Sequence, residues 1–412
     1  MALAMPPNLQ PPVALRYAMW SLAAESSDRY ASMSDIFYRR CRKYLELDEM
    51  RGFGESIVTV AHCQAWVLIS VYEFKNMYFP RAWMSCGRAV RLAQMLGLQR
   101  VDGGSKECKE TLPPPKDWIE KEERRRTFWM AFWADRCASI GTGWPMSVEE
   151  QDIHANLPAP EEAFQTGRPA PTQSLAEALQ SSGSDLSGFA GALLLAAMLG
   201  RNLEHMHRST PDDNEGDLNG KYWTRHREID NILLNLTMGM PESLRIPAGL
   251  PDPNVIFMNM CIHTAVICLH QSAMSRADKH QLTGTISAES KMRCVTAAME
   301  IASIMRFIAH LDLSRMNPFM SFCLYVAARV FIQYLRARRN DARFQSSLSF
   351  VLNAMNAMKK KNALNEAFLA QLDVEMEACN LPRPTFTPTP GGAYSQVCTQ
   401  LHKSACSLLT PQ

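Results

Sequence analysis

The sequence predicts an all-α protein: a large multi-helix domain of antiparallel packed helices, with a disordered insertion and a disordered tail. Apolar residues recur at helical spacing along most of the chain, and helix start and stop signals bound these stretches. Two proline-rich stretches interrupt or follow the helical ones. With 412 residues, 47% of them hydrophobic, the chain has enough apolar material for a large core.

Composition divides the chain into five parts. Residues 1–12 hold four prolines and are predicted to be extended. The halves of the helical domain, 13–158 and 186–380, flank a flexible insertion at 159–185. That insertion is expected to bury too little apolar surface to order itself. The tail at 381–412 is predicted to be mostly disordered for the same reason.

The first half should contain four helices before the central one. They are predicted at 13–24, 36–47, 55–74 and 80–96. The second helix carries basic residues that are expected to form a solvated face, with a nucleic-acid patch as the alternative: Arg39, Arg40, Arg42 and Lys43. His62, in the third, is expected to be a hydrogen-bonded core histidine. Small residues of the fourth helix recur at spacings of 4, 3, 4 and 3 and predict close packing: Ala82, Cys86, Ala89, Ala93 and Leu96.

A fifth helix should organise the rest of the chain. Asp117 follows three prolines and precedes Glu120 by three residues, which is typical of a helix start. Apolar and aromatic side chains on most sides of this helix place it in a core. It should end at Gly141, because the sequence GTGWP supplies two glycines and a proline.

Asp135 lies within the aromatic run of this helix. An unpaired buried carboxylate would be costly, so a cationic partner is expected. Local candidates are Arg124, Arg125, Arg126 and Arg136, and the distant ones are Arg88 and Arg91. The interpretation is a structural ion pair, and catalysis by Asp135 is the alternative. The structural ion-pair candidates are therefore Asp135, Arg88, Arg91 and Arg125.

The second half should contain six helices. They are predicted at 186–208, 223–238, 254–274, 287–311, 318–339 and 344–380. In the third of these, His263 and His270 lie seven residues apart, about 10 Å along the axis, which is too far for one metal ion without other ligands. No catalytic, metal-binding or cofactor-binding residue is predicted, because the sequence has no nucleophile elbow, phosphate loop, dinucleotide fingerprint or metal box.

Charge and cysteine content narrow the classes of function. A net charge of +2 and a pI near 8.0 give no strongly basic footprint for nucleic acid. The twelve cysteines are scattered without CxxC spacing and are expected to be reduced core thiols. No stretch reaches roughly 18 to 20 uninterrupted apolar residues, so no membrane span is predicted.

Two stretches resemble a known family. EERRRTFWMAFWADR at 122–136, followed by a Gly-x-Gly-x-Pro turn and QDIHANLP, is similar to the signature of the middle homology region of fungal zinc-cluster transcription factors of the xylanolytic-activator type. RAWMSCGRAVRLAQMLGLQR at 81–100 is similar to its other strong motif. Trp144 stands where the family usually has arginine, and His154 where an acidic or hydroxyl residue is common. The resemblance covers roughly 11–380 and is strongest at 81–158.

The resemblance implies a nuclear regulator of transcription by RNA polymerase II. A full-length relative would carry a zinc-cluster DNA-binding module upstream, and these 412 residues contain no six clustered cysteines for one. Two alternatives follow: the chain is a truncated product, or it works without a DNA-binding module of its own. Neither zinc nor another cofactor is expected in this chain, and DNA would be bound only through a module outside it.

Two other classes of function remain open. One is an all-α enzyme or ligand-binding protein with a cavity between helices. The other is an interaction scaffold or dominant-negative partner of related regulators. The expected partners are a small-molecule effector, a co-regulator protein or a second copy in a homodimer, and not a membrane. An apolar effector or a partner helix is expected between the helices at 254–274 and 318–339.

Overall fold

The structure is a computed structural model that describes residues 10–103, 111–181, 186–208, 213–282, 284–313, 316–359 and 361–382. These residues form fourteen α-helices and no β-strand, which confirms the predicted all-α class. They belong to two compact units. The first unit is Met1–Ala138 with Met146–Leu175, and the second unit is Ser139–Pro145 with Ala176–Gln412. Most of the predicted tail, and of the N-terminal segment 1–12, lies outside the described residues.

The first unit is built on six helices. They are α1 Val13–Ser26, α2 Ser34–Glu49, α3 Val60–Lys75, α4 Phe79–Met95, α5 Trp118–Thr142 and α6 Glu161–Thr166. Helix α1 packs against α2 and α3, and α3 packs against α4. The short links between α1 and α2 and between α3 and α4 make each pair antiparallel. The small-residue seam predicted on α4 is buried, as expected.

Helix α5 begins where the sequence predicts. The carboxylate of Asp117 accepts a hydrogen bond from the amide of Glu120 at 2.8 Å, and the carboxylate of Glu120 accepts one from the amide of Lys116 at 2.9 Å. Two free amides at the helix start are thereby satisfied. The helix ends at Thr142, one residue beyond the predicted glycine, and Gly143 takes the left-handed conformation with φ of 75°.

The segment 159–185 carries more local structure than its composition predicts. Helix α6 lies within it, and α7, Leu175–Gln180, forms a second short helix. Ala159, Leu175 and Ala178 are buried. A few small and branched residues of its described part are thus buried between proline-rich turns, while the flexible character of the insertion stays a prediction. The boundary between the two units also falls here.

The second unit contains the remaining long helices. They are α8 Gly188–His207, α9 Lys221–Gly239, α10 Pro253–Lys279, α11 Gly284–Ile308, α12 Met320–Ala337, α13 Ala342–Met358 and α14 Leu364–Ala378. Helix α10 is central, because α8, α9, α11 and α12 all pack against it. Close approach of α8 needs Gly191, since a side chain there would meet the sulfur of Met258.

Among the described residues, α10 alone is long and apolar enough to cross a membrane by length and composition. Its most apolar window has a mean hydropathy of 1.3, and 78% of that window is buried inside the protein. The contacts with α8 and α11 account for this burial. Such a helix is apolar on most sides because protein surrounds it.

The last helical stretch, predicted at 344–380, consists of two helices, α13 and α14, with a break between them. Asn362 sits in the break with its side chain buried. Its amide donates to the carbonyl of Pro318 at 3.1 Å and the hydroxyl of Ser321 at 3.0 Å, and its oxygen accepts from the amide of Leu364. A helix through this point would forfeit these bonds, so the chain breaks here and α14 begins two residues later.

Candidate functional site

Three successive arginines near the start of α5, residues 124–126, bind three different segments of the first unit. The first donates to the carbonyl oxygen of Pro113 at 2.8 Å, and the third donates to that of Ala159 at 3.0 Å. The second binds both carboxylate oxygens of Asp102. Successive side chains of a helix point about 100° apart, so these three arginines contact segments on three sides of α5.

Glu122 is the buried acidic centre of this group, with 0% of its surface exposed. Its carboxylate pairs with Arg125, accepts a hydrogen bond from Arg126 at 3.0 Å and accepts another from the amide of Ala159 at 2.9 Å. The spacing of the two arginines, three and four residues on, puts all three side chains on one face of α5. Burial is tolerated because the charge is paired and hydrogen-bonded.

Asp102 is the second acidic member of the group. Besides Arg125, it binds the ammonium of Lys121 at 2.9 Å and the amide of Asn156 at 2.9 Å. Burial alone would raise the pKa of this carboxyl, but the bonds to Arg125 and Lys121 hold it below its ordinary value. Trp129 of α5 donates to the carbonyl of Asn156 at 2.6 Å and fixes the same loop from the helix side. We call Asp102, Glu122 and residues 124–126 the arginine lattice.

Asp135 forms the structural ion pair that the sequence predicts, with one of its local candidates. Its carboxylate lies 2.8 Å from the guanidinium of Arg136 and accepts hydrogen bonds from the amides of Ser147, at 3.0 Å, and Val148, at 3.3 Å. Arg136 in turn donates to the carbonyl of Val148 at 2.7 Å. Burial raises the pKa of Asp135, while Arg136 and the two amides favour its charged form.

The other predicted ion-pair residues lie elsewhere. Arg88 pairs with Glu49 at 2.7 Å on the surface and covers the ring of Trp66, and Arg91 is exposed. The prediction that Arg88 or Arg91 pairs with Asp135 is wrong, because the amides of residues 147 and 148 occupy the space around that carboxylate. Arg125 is an ion-pair residue, but its partners are the carboxylates of the arginine lattice.

The structure also shows the surroundings of Trp144 and His154, the two residues that depart from the family pattern. The Trp144 amide donates to the hydroxyl of Thr142 at 3.2 Å. The side chain of His154 is exposed, and its amide donates to the carbonyl of Gln99 at 2.8 Å. Gln99 lies near the end of the motif at 81–100. This bond therefore joins the two motifs through backbone atoms, which a change of side chain does not alter.

Comparison with known proteins decides the family. Residues 7–226 match the fungal specific transcription factor domain, which is more than half of the chain. The chain belongs to this family. The stretch matched includes the whole arginine lattice and the Asp135–Arg136 pair, so the arginines at 124–126 have a structural role within the matched region of this chain. No solved structure matches the chain.

Several curated proteins are similar to this chain over most of its length. The pigment biosynthesis transcriptional activator pigB of Monascus ruber is 33% identical over 366 residues, covering 88% of this chain and 65% of the relative. The citrinin biosynthesis transcriptional activator ctnR of Monascus purpureus is 29% identical, covering 89% and 62%. An azaphilone cluster-specific transcription factor of Aspergillus niger is 32% identical, covering 72% and 64%. The chain thus spans less than two thirds of these relatives.

A second buried polar cluster of the chain lies in the second unit. Three histidines form a row across α8, α9 and α10: His205, His226 and His270. The ring of His205 stacks on Tyr222 with centroids 4.3 Å apart and lies 5.9 Å from His226, which meets His270 edge-to-face at 5.3 Å. We call these three the histidine row. No group of three potential metal ligands occurs in the described part of the chain.

Two members of the histidine row are held neutral. Burial lowers the pKa of His205 to about 4, and the guanidinium groups of Arg225 and Arg276 act in the same direction. Burial lowers the pKa of His226 to about 3, assisted by its histidine neighbours. His270 hydrogen-bonds with Asp230 at 3.3 Å. A charged imidazolium at His205 or His226 would be surrounded by rings and other cations.

We expect Arg125→Met to destabilise the first unit by about 3–5 kcal/mol, because Glu122 and Asp102 would stay buried without their shared cation. Urea unfolding would measure this loss. The control is Arg88→Met, whose pair with Glu49 is 43% and 44% exposed; it should cost less than about 1 kcal/mol. Adding Glu122→Gln to Arg125→Met should recover part of the loss. Equal losses for the two single variants would contradict the assignment.

We expect the histidine row to make the second unit sensitive to mild acid. Both folded pKa values lie below the ordinary 6.5, so the unfolded chain binds protons more readily. The stabilisation is complete above about pH 6.5 and is lost as pH falls towards the folded values. From pH 7 to pH 5 each histidine should cost about 2 kcal/mol.

Urea unfolding at the two pH values would test this expectation in His226→Phe, which keeps the ring contacts and removes the titrating group. The acid-induced loss should shrink by about 2 kcal/mol, which is the share of one such histidine. His310→Phe is the matched control, because His310 is exposed in the same unit, and it should leave the loss as it was. If His226→Phe retained the full loss between pH 7 and pH 5, the histidine row would not be its source.

Proposed function

We propose that this chain is the regulatory region of a nuclear transcription activator that controls a fungal biosynthetic gene set. The observation that carries the proposal is the match of residues 7–226 to the fungal specific transcription factor domain. The names of the relatives support this kind of gene set, since two are activators of pigment and citrinin biosynthesis and one is an azaphilone cluster-specific transcription factor. DNA binding through a zinc cluster belongs to this proposal as a property of the complete protein.

The same proposal makes the chain a regulator and not an enzyme. Family and relatives are all named for transcription. The buried carboxylates support it, because Glu122, Asp102 and Asp135 are each bound by a cation and at least one backbone amide. A general acid or base must exchange its proton with a substrate, whereas these groups are occupied in holding loops.

The proposal predicts that this chain controls transcription when brought to a promoter. Fused to a heterologous DNA-binding domain in a fungal host, it should change the output of a reporter with matching sites by several-fold. Arg125→Met in the same fusion should abolish the effect by unfolding the first unit, and Arg88→Met should preserve it. A folded fusion that leaves the reporter unchanged, together with unchanged biosynthetic transcripts after gene deletion, would refute the proposal.

We further propose that the second unit responds to an apolar effector between α10 and α12. A row of aromatic rings favours this place: Phe257 of α10 meets Phe319 at 6.3 Å, Phe319 meets Phe322 at 5.0 Å, and Tyr325 stacks on Phe368 at 4.6 Å. The two helices pack directly on each other. An effector would act only if it bound the separated arrangement more tightly than the packed one.

Native mass spectrometry of protein purified from a fungal host would test the effector proposal. We expect a bound small molecule on the wild-type chain that is lost in Phe319→Ala, because that ring bridges the two helices. Phe307→Ala is the matched control, since Phe307 is 47% exposed on α11, and it should retain the bound mass. Protein without any bound mass, or equal retention by both variants, would contradict the proposed site.

A further inference from the structure

The outer face of the α1–α2 pair combines half-buried aromatic rings with exposed aliphatic and basic side chains. Tyr17 of α1 stacks on Tyr44 of α2 with centroids 5.6 Å apart and meets Trp20 edge-to-face at 5.2 Å. Trp20 lies 5.8 Å from Phe37 of α2. All four rings are partly exposed. They form a continuous aromatic floor along the seam between the two helices.

A straight stripe of exposed side chains borders this floor on α2. Ile36, Arg40, Lys43 and Leu47 follow one another at spacings of 4, 3 and 4 residues, so they share one helix face over about 16 Å. The aliphatic ends, Ile36 and Leu47, are 47% and 53% exposed. Arg40 donates to the hydroxyl of Tyr17 at 3.0 Å, which ties the stripe to the aromatic floor.

The stripe has an unbalanced positive charge. In the described part of the chain, no carboxylate lies within ion-pair distance of Arg40 or Lys43. The four acidic residues of α2 are engaged away from the stripe. Asp35 pairs with Arg39, and Glu46 pairs with Arg42. Asp48 pairs with His62, and Glu49 pairs with Arg88. A partner that covers the stripe must therefore supply its own negative charge.

We propose that this face of α1–α2, the α1–α2 stripe, is the docking surface for an acidic amphipathic helix of a partner protein. Aliphatic side chains three turns apart fit the helix-in-groove mode, in which a partner helix lays an apolar face between anchors. Aspartate or glutamate beside that apolar face would reach Arg40 and Lys43. The proposal concerns a surface separate from the effector site and does not depend on the transcriptional function.

Other occupants fit the stripe less well. A second copy in a two-fold dimer would place Arg40 and Lys43 against the same cations. The terminal segments outside the described residues, 1–9 and 383–412, contain no aspartate or glutamate. A nucleic acid needs a field of positive charge, whereas the four basic residues of α2 are balanced by four acidic ones and the whole chain has a net charge of +2.

Fluorescence anisotropy with a designed peptide would test the docking surface. The probe is a labelled helical peptide of about 16 residues with leucine at positions i, i+4, i+7 and i+11 and glutamate beside them. We expect saturable binding to the full chain that weakens about tenfold or more in the double variant Arg40→Glu, Lys43→Glu. A peptide with lysine in place of glutamate should bind the double variant more tightly than the wild-type chain.

Two controls separate specific docking from general electrostatics and from unfolding. Arg91→Glu makes the same change of charge at an exposed position of α4, outside the α1–α2 pair, and should weaken binding less than about twofold. Leu47→Ala should weaken binding with no change of charge, and circular dichroism must show native helicity in every variant.

Several results would overturn the proposal. They are the absence of saturable binding to the folded wild-type chain, equal weakening by Arg91→Glu, and a stripe-dependent preference for DNA or anionic vesicles over the peptide. Loss of binding accompanied by dissociation of a dimer in sedimentation would assign the stripe to a second copy instead.

Discussion

The first unit depends on one turn of α5, where the carboxylates of Glu122 and Asp102 lie with the buried guanidinium group of Arg125 and the half-buried one of Arg126. Removing any of these charges from water is expensive, and the cost is offset only when every partner is present. Glu122 and Asp102 meet that requirement through one shared cation, Arg125, and through the amides of Ala159 and Asn156. The lattice therefore fixes the course of two irregular loops together with the backbone bond from His154 to Gln99.

Local rules predict the helices of this unit well and its long-range ties poorly. The start of α5 follows from Asp117 and Glu120 alone, because a cap is a contact within one turn. Asp102 went unrecognised as a partner, since it lies 23 residues from Arg125 across a loop with glycines and prolines. The spacing of Glu122 to Arg125 was visible in the sequence and could have signalled the ion pair.

The partner of Asp135 shows how tertiary context overrides a helical rule. Adjacent residues of a helix do not face each other, so distant arginines were reasonable candidates. The loop at 147–148 brings two amides to the carboxylate and one carbonyl to Arg136, and so bridges two neighbouring side chains that point different ways. In the second unit, the break at Asn362 was missed for a related reason: its side chain finds its partners on a different helix.

The two units bury polar groups by opposite means, and this difference limits what each can do. In the arginine lattice, the cations beside Asp102 depress the pKa of its carboxyl, so it stays charged to a lower pH than an ordinary aspartate. The histidine row keeps His205 and His226 neutral among aromatic rings, which stabilises the fold only while no proton binds. Neither arrangement presents a poised proton donor beside an open position for a substrate. Both are suited to holding helices in one packing, which a regulator needs if a ligand or partner is to shift it to another.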